Sequence, residues 1–364
     1  MANITAAMVK ELREQTGAGM MDCKKALAET DGNMEAAVDV LRKSGAAKME
    51  KKAARIAAEG ICRVASQDGK AVVAEVNSET DFVAKNEIFR DFVQYVAETC
   101  LASDLMGGSN GEDVQALLDA GLTEVVAEKT LTIGEKLSFR RFQKIEADCV
   151  ATYLHGGGKI GVIVGADGTN DEAVKEALTN VAMQIAAMSP EYISRAEISA
   201  DEIAHRKEIT IEAAINDPFS LPKPILQKLL DKAVNEKIWS DADIAQYEEH
   251  KSNMNYLPNF LSEAAKPQLA EIGMGMKDMI TSDKIFLGLV EGRISKQLKE
   301  ISLMDQVYVK AEDGKQTVKQ YLDSVAKADN AKFEIKKFVR FVTGEGLEKR
   351  NDDFAAEVAA QMGK

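Results

Sequence analysis

Aromatic residues are scarce in this 364-residue chain, at 5% with a single tryptophan, so its cores must rest on Ala, Val, Leu, Ile and Met. The 45% hydrophobic content is enough for more than one such core. Histidine is rarer still. His155, His205 and His250 stand far apart, which gives no basis for a histidine metal site or a catalytic dyad. The four cysteines, Cys23, Cys62, Cys100 and Cys149, are widely spaced and form no CxxC. This argues against a disulfide framework or a zinc site and for a reducing cytoplasm. Positive charge is also short. With 46 Lys and Arg against 59 Asp and Glu, the net charge is −13, which argues against general attachment to nucleic acid or to an anionic membrane. No apolar run approaches the roughly 20 residues of a membrane span. The opening "MANITAAMVKELREQTG" is amphipathic and mixed in charge, unlike a signal or transit peptide.

Catalytic signatures are missing too. The chain has no G-x-x-x-x-G-K-[ST], H-E-x-x-H, G-x-S-x-G or EF-hand loop. Gly156-Gly157-Gly158-Lys159-Ile160-Gly161 matches G-x-G-x-x-G, but a second strand, "IGVIVG", follows it. Pyrophosphate binding needs a helix N-terminus at that place, so the glycines read as a hairpin turn. Gly344-Glu345-Gly346 reads as a tight turn as well. Neither a cofactor nor a metal is expected, and the weight moves to a binding protein.

What is present is an ordered series of helices and hairpins. Val9 and Leu12 begin one apolar helix face, Thr16 to Gly19 breaks it, and a second helix carries Met21, Ala26 and Leu27. Asp31-Gly32-Asn33 turns the chain, with Asn33 as N-cap. Met34, Ala37, Val38 and Leu41 then follow helical spacing, with Gly45 placed to end the helix. Such a three-helix unit is marginal alone and suits a docking module. The basic, Ala-rich stretch from Arg42 to Arg55 reads as a solvated helical linker. A repeat follows. "EGICRVASQDGKAVVAEVN" with "FRDFVQYVAETCLAS" and "EADCVATYLHGGGKIGVIVGA" with "VKEALTNVAMQIAAMSP" each read as strand, turn, strand, helix. The strand "KLSFRRFQKIE" lies between them. Two antiparallel hairpins, each backed by a helix, predict an α+β core. Beyond Pro190, "SADEIAHRKEITIEAAI" and "KIFLGLVEGRISKQLKEISL" predict two long helices. The intervening segment, about 216–283, holds five of the six prolines and Trp239, and reads as a cap of short helices with its own small core. After Val309 come a helix in "TVKQYLDSVA", a strand in "FEIKKFVRFVTGE" and a terminal helix in "NDDFAAEVAAQM".

One stretch is not needed by this architecture. The second repeat passes from strand to helix through polar "DGTNDE", the first through "SETDFVAKN". Phe82 is seven residues before Phe89 and could extend that helix's apolar stripe, but Lys85 and Asn86 interrupt it. With Thr80 or Asp81 as N-cap, Phe82 falls at the tip, where a partner's pocket could take it.

These strings resemble bacterial elongation factor Ts, the family of guanine nucleotide exchange factors for elongation factor Tu. The resemblance rests on "VKELREQTGAGMMDCKKAL", "EVNSETDFVAKN", "YLHGGGKIGVIV", "LVEGRISKQLKEISL" and "VRFVTGEGLEKRNDDFAAEVAAQM", in order, and spans nearly the whole chain except about 216–283. It implies an N-terminal module similar to ubiquitin-associated domains over 1–55 and a core N-subdomain over 56–140. A C-subdomain over 141–200 and 290–345, a helical coiled-coil excursion over 201–289 and a C-terminal module over 346–364 complete it. It further implies that Thr80, Asp81, Phe82 and Val83 enter the partner's nucleotide domain and displace its magnesium ion. Leu12, Arg13 and Met20 would hold a partner helix, and His155 and Gly156 would press on the partner from the core hairpin. Dimerisation through the excursion is seen in the family, but the longer segment here leaves it open. No direct contact with nucleic acid or membrane is implied. An adaptor without exchange activity would lack the Asp-Phe loop, and a nucleotide-using enzyme would need a phosphate loop. The chain alone is therefore expected to show no binding of GDP, GTP or NAD by calorimetry at micromolar concentrations. Binding that vanished on changing Gly158 or Gly161 would overturn the hairpin reading.

Overall fold

The structure is a computed structural model that describes residues 4–348. The terminal helix expected in "NDDFAAEVAAQM" lies outside the described residues. The chain forms two compact units, Met1–Ser189 with Val307–Lys364, and Pro190–Gln306.

The first unit opens with three helices, α1 (Ala6–Thr16), α2 (Met20–Glu29) and α3 (Met34–Lys52). Thr5 and Asn33 cap α1 and α3 with side-chain oxygens that accept from Met8 N and Ala36 N. Gly17 ends α1 in the left-handed region at φ 66°. Val9, Leu12, Cys23, Ala26, Leu27, Ala37 and Leu41 form a small core. Gly45 does not end α3 as expected. It is buried within the helix, and a Cβ there would stand 3.0 Å from the carbonyl oxygen of Ala127. The missing side chain lets α3 lie close against α7 (Thr123–Ile133), whose Leu131 joins the core of the three-helix module.

Strands β1 (Glu59–Gln67) and β2 (Lys70–Ser78) follow α3 and pair in antiparallel register, Gln67 opposite Lys70. The two-residue turn, Asp68-Gly69, has both φ angles positive, as a hairpin of this length requires. After β2 come the one-turn helix α4 (Asp81–Lys85), α5 (Glu87–Ala102), the two-residue β3 (Gly107–Gly108), α6 (Val114–Leu117) and α7. Then β4 (Ser138–Glu146), β5 (Cys149–His155), β6 (Ile160–Asp167) and α8 (Glu172–Met188) complete the repeat.

The second unit is helical. α9 (Ala200–Asn216) and α14 (Lys284–Ile301) are the two expected long helices. Between them are α10 (Lys223–Asn235), α11 (Asp241–His250), α12 (Ala265–Gly275) and α13 (Lys277–Ser282). Pro218, Pro224 and Pro258 sit at the starts of helical turns, where no N–H is missed. Trp239 is buried and its indole N–H donates to Ala265 O at 2.9 Å. The segment does not have a core of its own. Trp239, Leu229 and Leu269 share one cluster with Ile215 of α9 and with Phe286 and Val290 of α14. Short helices of this length cannot bury all their apolar faces among themselves, so the long pair supplies the rest.

On its return to the first unit the chain forms α15 (Val318–Ala328) and β7 (Glu334–Val342). Two sheets result, ordered β1-β2-β4-β3 and β5-β6-β7. They pack face to face through Cys62, Ala71, Val73 and Ile145 on one side and Ile163, Val339 and Phe341 on the other. α5 covers the outer face of the first sheet, where Val72, Ala74 and Val76 meet Phe89, Phe92 and Val96. All four cysteines are free and buried. Burial pushes the thiols of Cys62 and Cys100 up to about 12, which leaves them inert near neutral pH.

A charged cluster joins the two sheets. Glu75 of β2 has no exposed surface. Its Oε2 accepts from Arg141 Nε at 2.6 Å. Its Oε1 accepts from Arg140 Nη1 at 3.0 Å, Asn77 Nδ2 at 3.1 Å and Gly344 N at 2.8 Å. Neighbouring residues of a strand normally face opposite ways. Here a bulge shifts the β2–β4 register between Glu75 and Val76, and both arginines reach the carboxylate. Arg141 also stacks 4.2 Å from the ring centroid of Phe341 and donates to Val342 O at 3.1 Å. Removing one member strands the others, so Glu75→Ala is expected to cost about 3–5 kcal/mol in urea unfolding. A loss below about 1 kcal/mol would show that the cluster is not a structural tie.

Candidate functional site

The loop after β2 divides its side chains between inside and outside. Thr80 is the N-cap of α4, with its hydroxyl oxygen accepting from Val83 N. It turns inward, and both its N–H and its hydroxyl donate to the carboxylate of Glu135, at 3.0 and 2.7 Å. Val83 and Ala84 are buried against the core beneath α5. Asn86 then interrupts the helix in extended backbone and caps α5 by accepting from Ile88 N at 2.8 Å. Between these anchors, Asp81 and Phe82 point outward. Phe82 is 79% exposed, the highest among the large exposed hydrophobic residues described. Lys85 Nζ bonds Asp81 at 2.7 Å and lies 5.9 Å from the centre of the Phe82 ring. That bond holds the Asp81 carboxyl below the usual carboxylate range, and the charge of Lys159 acts in the same direction.

Lys159 belongs to the turn between β5 and β6 and bonds Glu59 at 2.7 Å, and Glu59 pairs with Ser78 at the end of β2, so that hairpin sits beside the start of the loop. His155 and Gly156 are exposed there, with the hydroxyl of Tyr153 3.1 Å from His155 Nδ1. Gly156, Gly157 and Gly158 have φ of 59, 71 and 104°. A Cβ at Gly158 would be 2.7 Å from Cys62 O, and Cys62 N donates to Gly158 O at 2.7 Å. The glycine run is thus a turn seated on β1 and followed by a strand. The N-terminal module divides like the loop. Leu12 is wholly buried in the module's core, while Arg13 is exposed and Met20 is 58% exposed.

Two features were not anticipated. Glu135 carried no motif, being one acidic residue in a loop. Ile88 and Tyr95 of α5 are about half exposed and line a groove of about 370 Å³ with Phe92, Val125 and Lys129. Their seven-residue spacing, off the stripe of Phe89, Phe92 and Val96, was the available signal. Among the described residues no group of His, Cys, Asp and Glu could hold a metal ion, and no helix is long and apolar enough to cross a membrane.

A family model for elongation factor TS matches residues 79–249 and 259–345, taking in the loop, the hairpin, β4 and the whole second sheet. The chain belongs to the elongation factor Ts family. It is 42% identical over 372 residues to elongation factor Ts of Clostridioides difficile (strain 630), with 100% of both chains covered. As a family member it serves translation elongation as a guanine nucleotide exchange factor, with elongation factor Tu as the family's partner. The exposure pattern makes a separable expectation. Phe82→Ala should change unfolding free energy by less than about 0.5 kcal/mol, and Val83→Ala should lower it by roughly 1–3 kcal/mol. The reverse order in a denaturant series would show that the ring belongs to the core.

Proposed function

We propose that the chain drives GDP from elongation factor Tu by inserting Asp81 and Phe82 into the partner's nucleotide domain, where they displace its magnesium ion. The observation that carries this reading is a phenylalanine held almost fully in solvent on a one-turn helix whose neighbours are anchored. An exposed ring on a rigid base loses little further entropy when a pocket closes on it. Thr80 and Val83 support the insertion from within. Arg13 and Met20, carried on the core that Leu12 helps to fill, grip a helix of the same partner. His155 and Gly156 press on the partner from the hairpin near Asp81.

In this reading the N-terminal module is similar to ubiquitin-associated domains and the second unit stands for the family's coiled-coil excursion. The protein works in the cytoplasm without contact with nucleic acid or membrane, and the excursion is the surface through which two copies could associate. Exchange needs no covalent step. Partner and nucleotide oppose each other reciprocally, because whatever weakens GDP binding in the complex weakens this protein's hold when GDP is present. Excess GTP over GDP then gives the direction.

The test is release of labelled GDP from elongation factor Tu with and without the chain. Phe82→Ala should slow the stimulated release by about tenfold to hundredfold, the worth of burying one phenyl ring. Stimulated release at the unsubstituted rate would remove Phe82 from the mechanism.

A further inference from the structure

We propose that Glu135 is a positioning residue for exchange, acting as the splint that fixes Thr80 and so aims Asp81 and Phe82. The inference rests on the exchange role assigned above to that pair. Three consecutive residues after α7 hold two segments, the end of α3 with its exit and the loop after β2. Gly134 offers its carbonyl to Lys52 at the end of α3. Glu135 takes both the N–H and the hydroxyl of Thr80. Lys136 donates its N–H to Glu79 at 2.5 Å and its ammonium to Ala53 O at 2.6 Å and Arg55 O at 2.7 Å. Arg55 closes the network by reaching Glu79 at 3.2 Å.

The consequence is mechanical. The Phe82 ring stands in solvent with Lys85 of its own turn beside it, and Asp81 is bonded to that same lysine. Their direction is set by what anchors α4. Val83 and Ala84 anchor one side through the core, and a helix of one turn cannot hold its own N-terminus. The other anchor is Thr80, and its outward tie is a carboxylate accepting two hydrogen bonds, a charge-assisted pair stronger than a neutral one. Gly134 and Lys136, the neighbours of Glu135, clasp the end of α3, so the N-terminal module and the loop share one support. Docking of the module on a partner would then deliver the loop in a set orientation, as preorganisation requires. Glu135 touches neither nucleotide nor metal in this scheme and acts through Thr80.

The experiment measures release of fluorescent GDP from elongation factor Tu over a range of concentrations of the full chain. Glu135→Ala, Glu135→Gln, Thr80→Ser, Thr80→Val and Phe82→Ala are compared, together with amide hydrogen exchange of residues 80–84. Glu135→Ala should lower the maximal release rate about tenfold while moving the half-saturating concentration less than about twofold. Its loop amides should exchange faster. Glu135→Gln, which can still accept from the Thr80 N–H, should recover most of the rate. If Glu135→Ala does not fold, Thr80→Ser and Thr80→Val carry the test: serine keeps both the bond to Glu135 and the cap bond from Val83 N and should keep the ceiling, whereas valine removes both and should lower it. A full ceiling in Glu135→Ala, with Phe82→Ala impaired, overturns the splint and leaves the exchange loop standing. A raised half-saturating concentration with an intact ceiling assigns Glu135 to docking and overturns it as well. If Phe82→Ala exchanges normally, the loop reading itself fails. The amide readout then decides whether Glu135 orders these residues at all.

Discussion

Glu75 has no access to water, and a carboxylate in that position must be neutralised and fully hydrogen-bonded or its burial costs several kcal/mol. The partners it finds come from three places in the chain: Arg140 and Arg141 on β4, Asn77 on its own strand, and the backbone of Gly344 beyond β7. One charge therefore holds the second strand of the first sheet, its neighbour, and the end of the second sheet's last strand. The loop that carries Asp81 and Phe82 leaves β2 three residues after Glu75, and the glycine hairpin joins two strands of the other sheet. Both candidate surfaces are set by the sheet pairing that this carboxylate helps to fix.

The same division between inside and outside recurs at each surface. In the loop, Thr80 and Val83 serve the fold while Asp81 and Phe82 face solvent. In the N-terminal module, Leu12 fills the core beneath exposed Arg13 and Met20. At the hairpin, Gly158 is seated on β1 while His155 and Gly156 project. Residues of these three candidate surfaces thus fall into two physical kinds, those left to solvent and those that hold the first kind still.

Much of the fold was legible because local chemistry and tertiary outcome agree. Asp68-Gly69 between two β-rich runs dictates a two-residue hairpin, and proline at helix starts divides the segment 216–283. Polar Lys85 and Asn86 in the stripe pointed to the exposure of Phe82, while the one-turn helix α4 was not read from the sequence. Legibility failed where a residue's meaning depends on a distant neighbour. Gly45 looks like a helix terminator until Ala127 is seen against it. The short helices looked self-sufficient until Ile215, Phe286 and Val290 joined their core.

The sequence by itself determined the hairpins, the caps, the interrupted stripe at "TDFVAKN" and the family, because turn geometry, capping and helical period act over a few residues. Tertiary structure alone decided that Arg140 and Arg141 converge on Glu75, and that Glu135 meets Thr80 across 55 positions. A lone carboxylate in a strand or loop has the same local chemistry wherever it stands. Its partner is chosen by strand pairing, by a one-residue bulge, and by which loop the packed helices bring alongside.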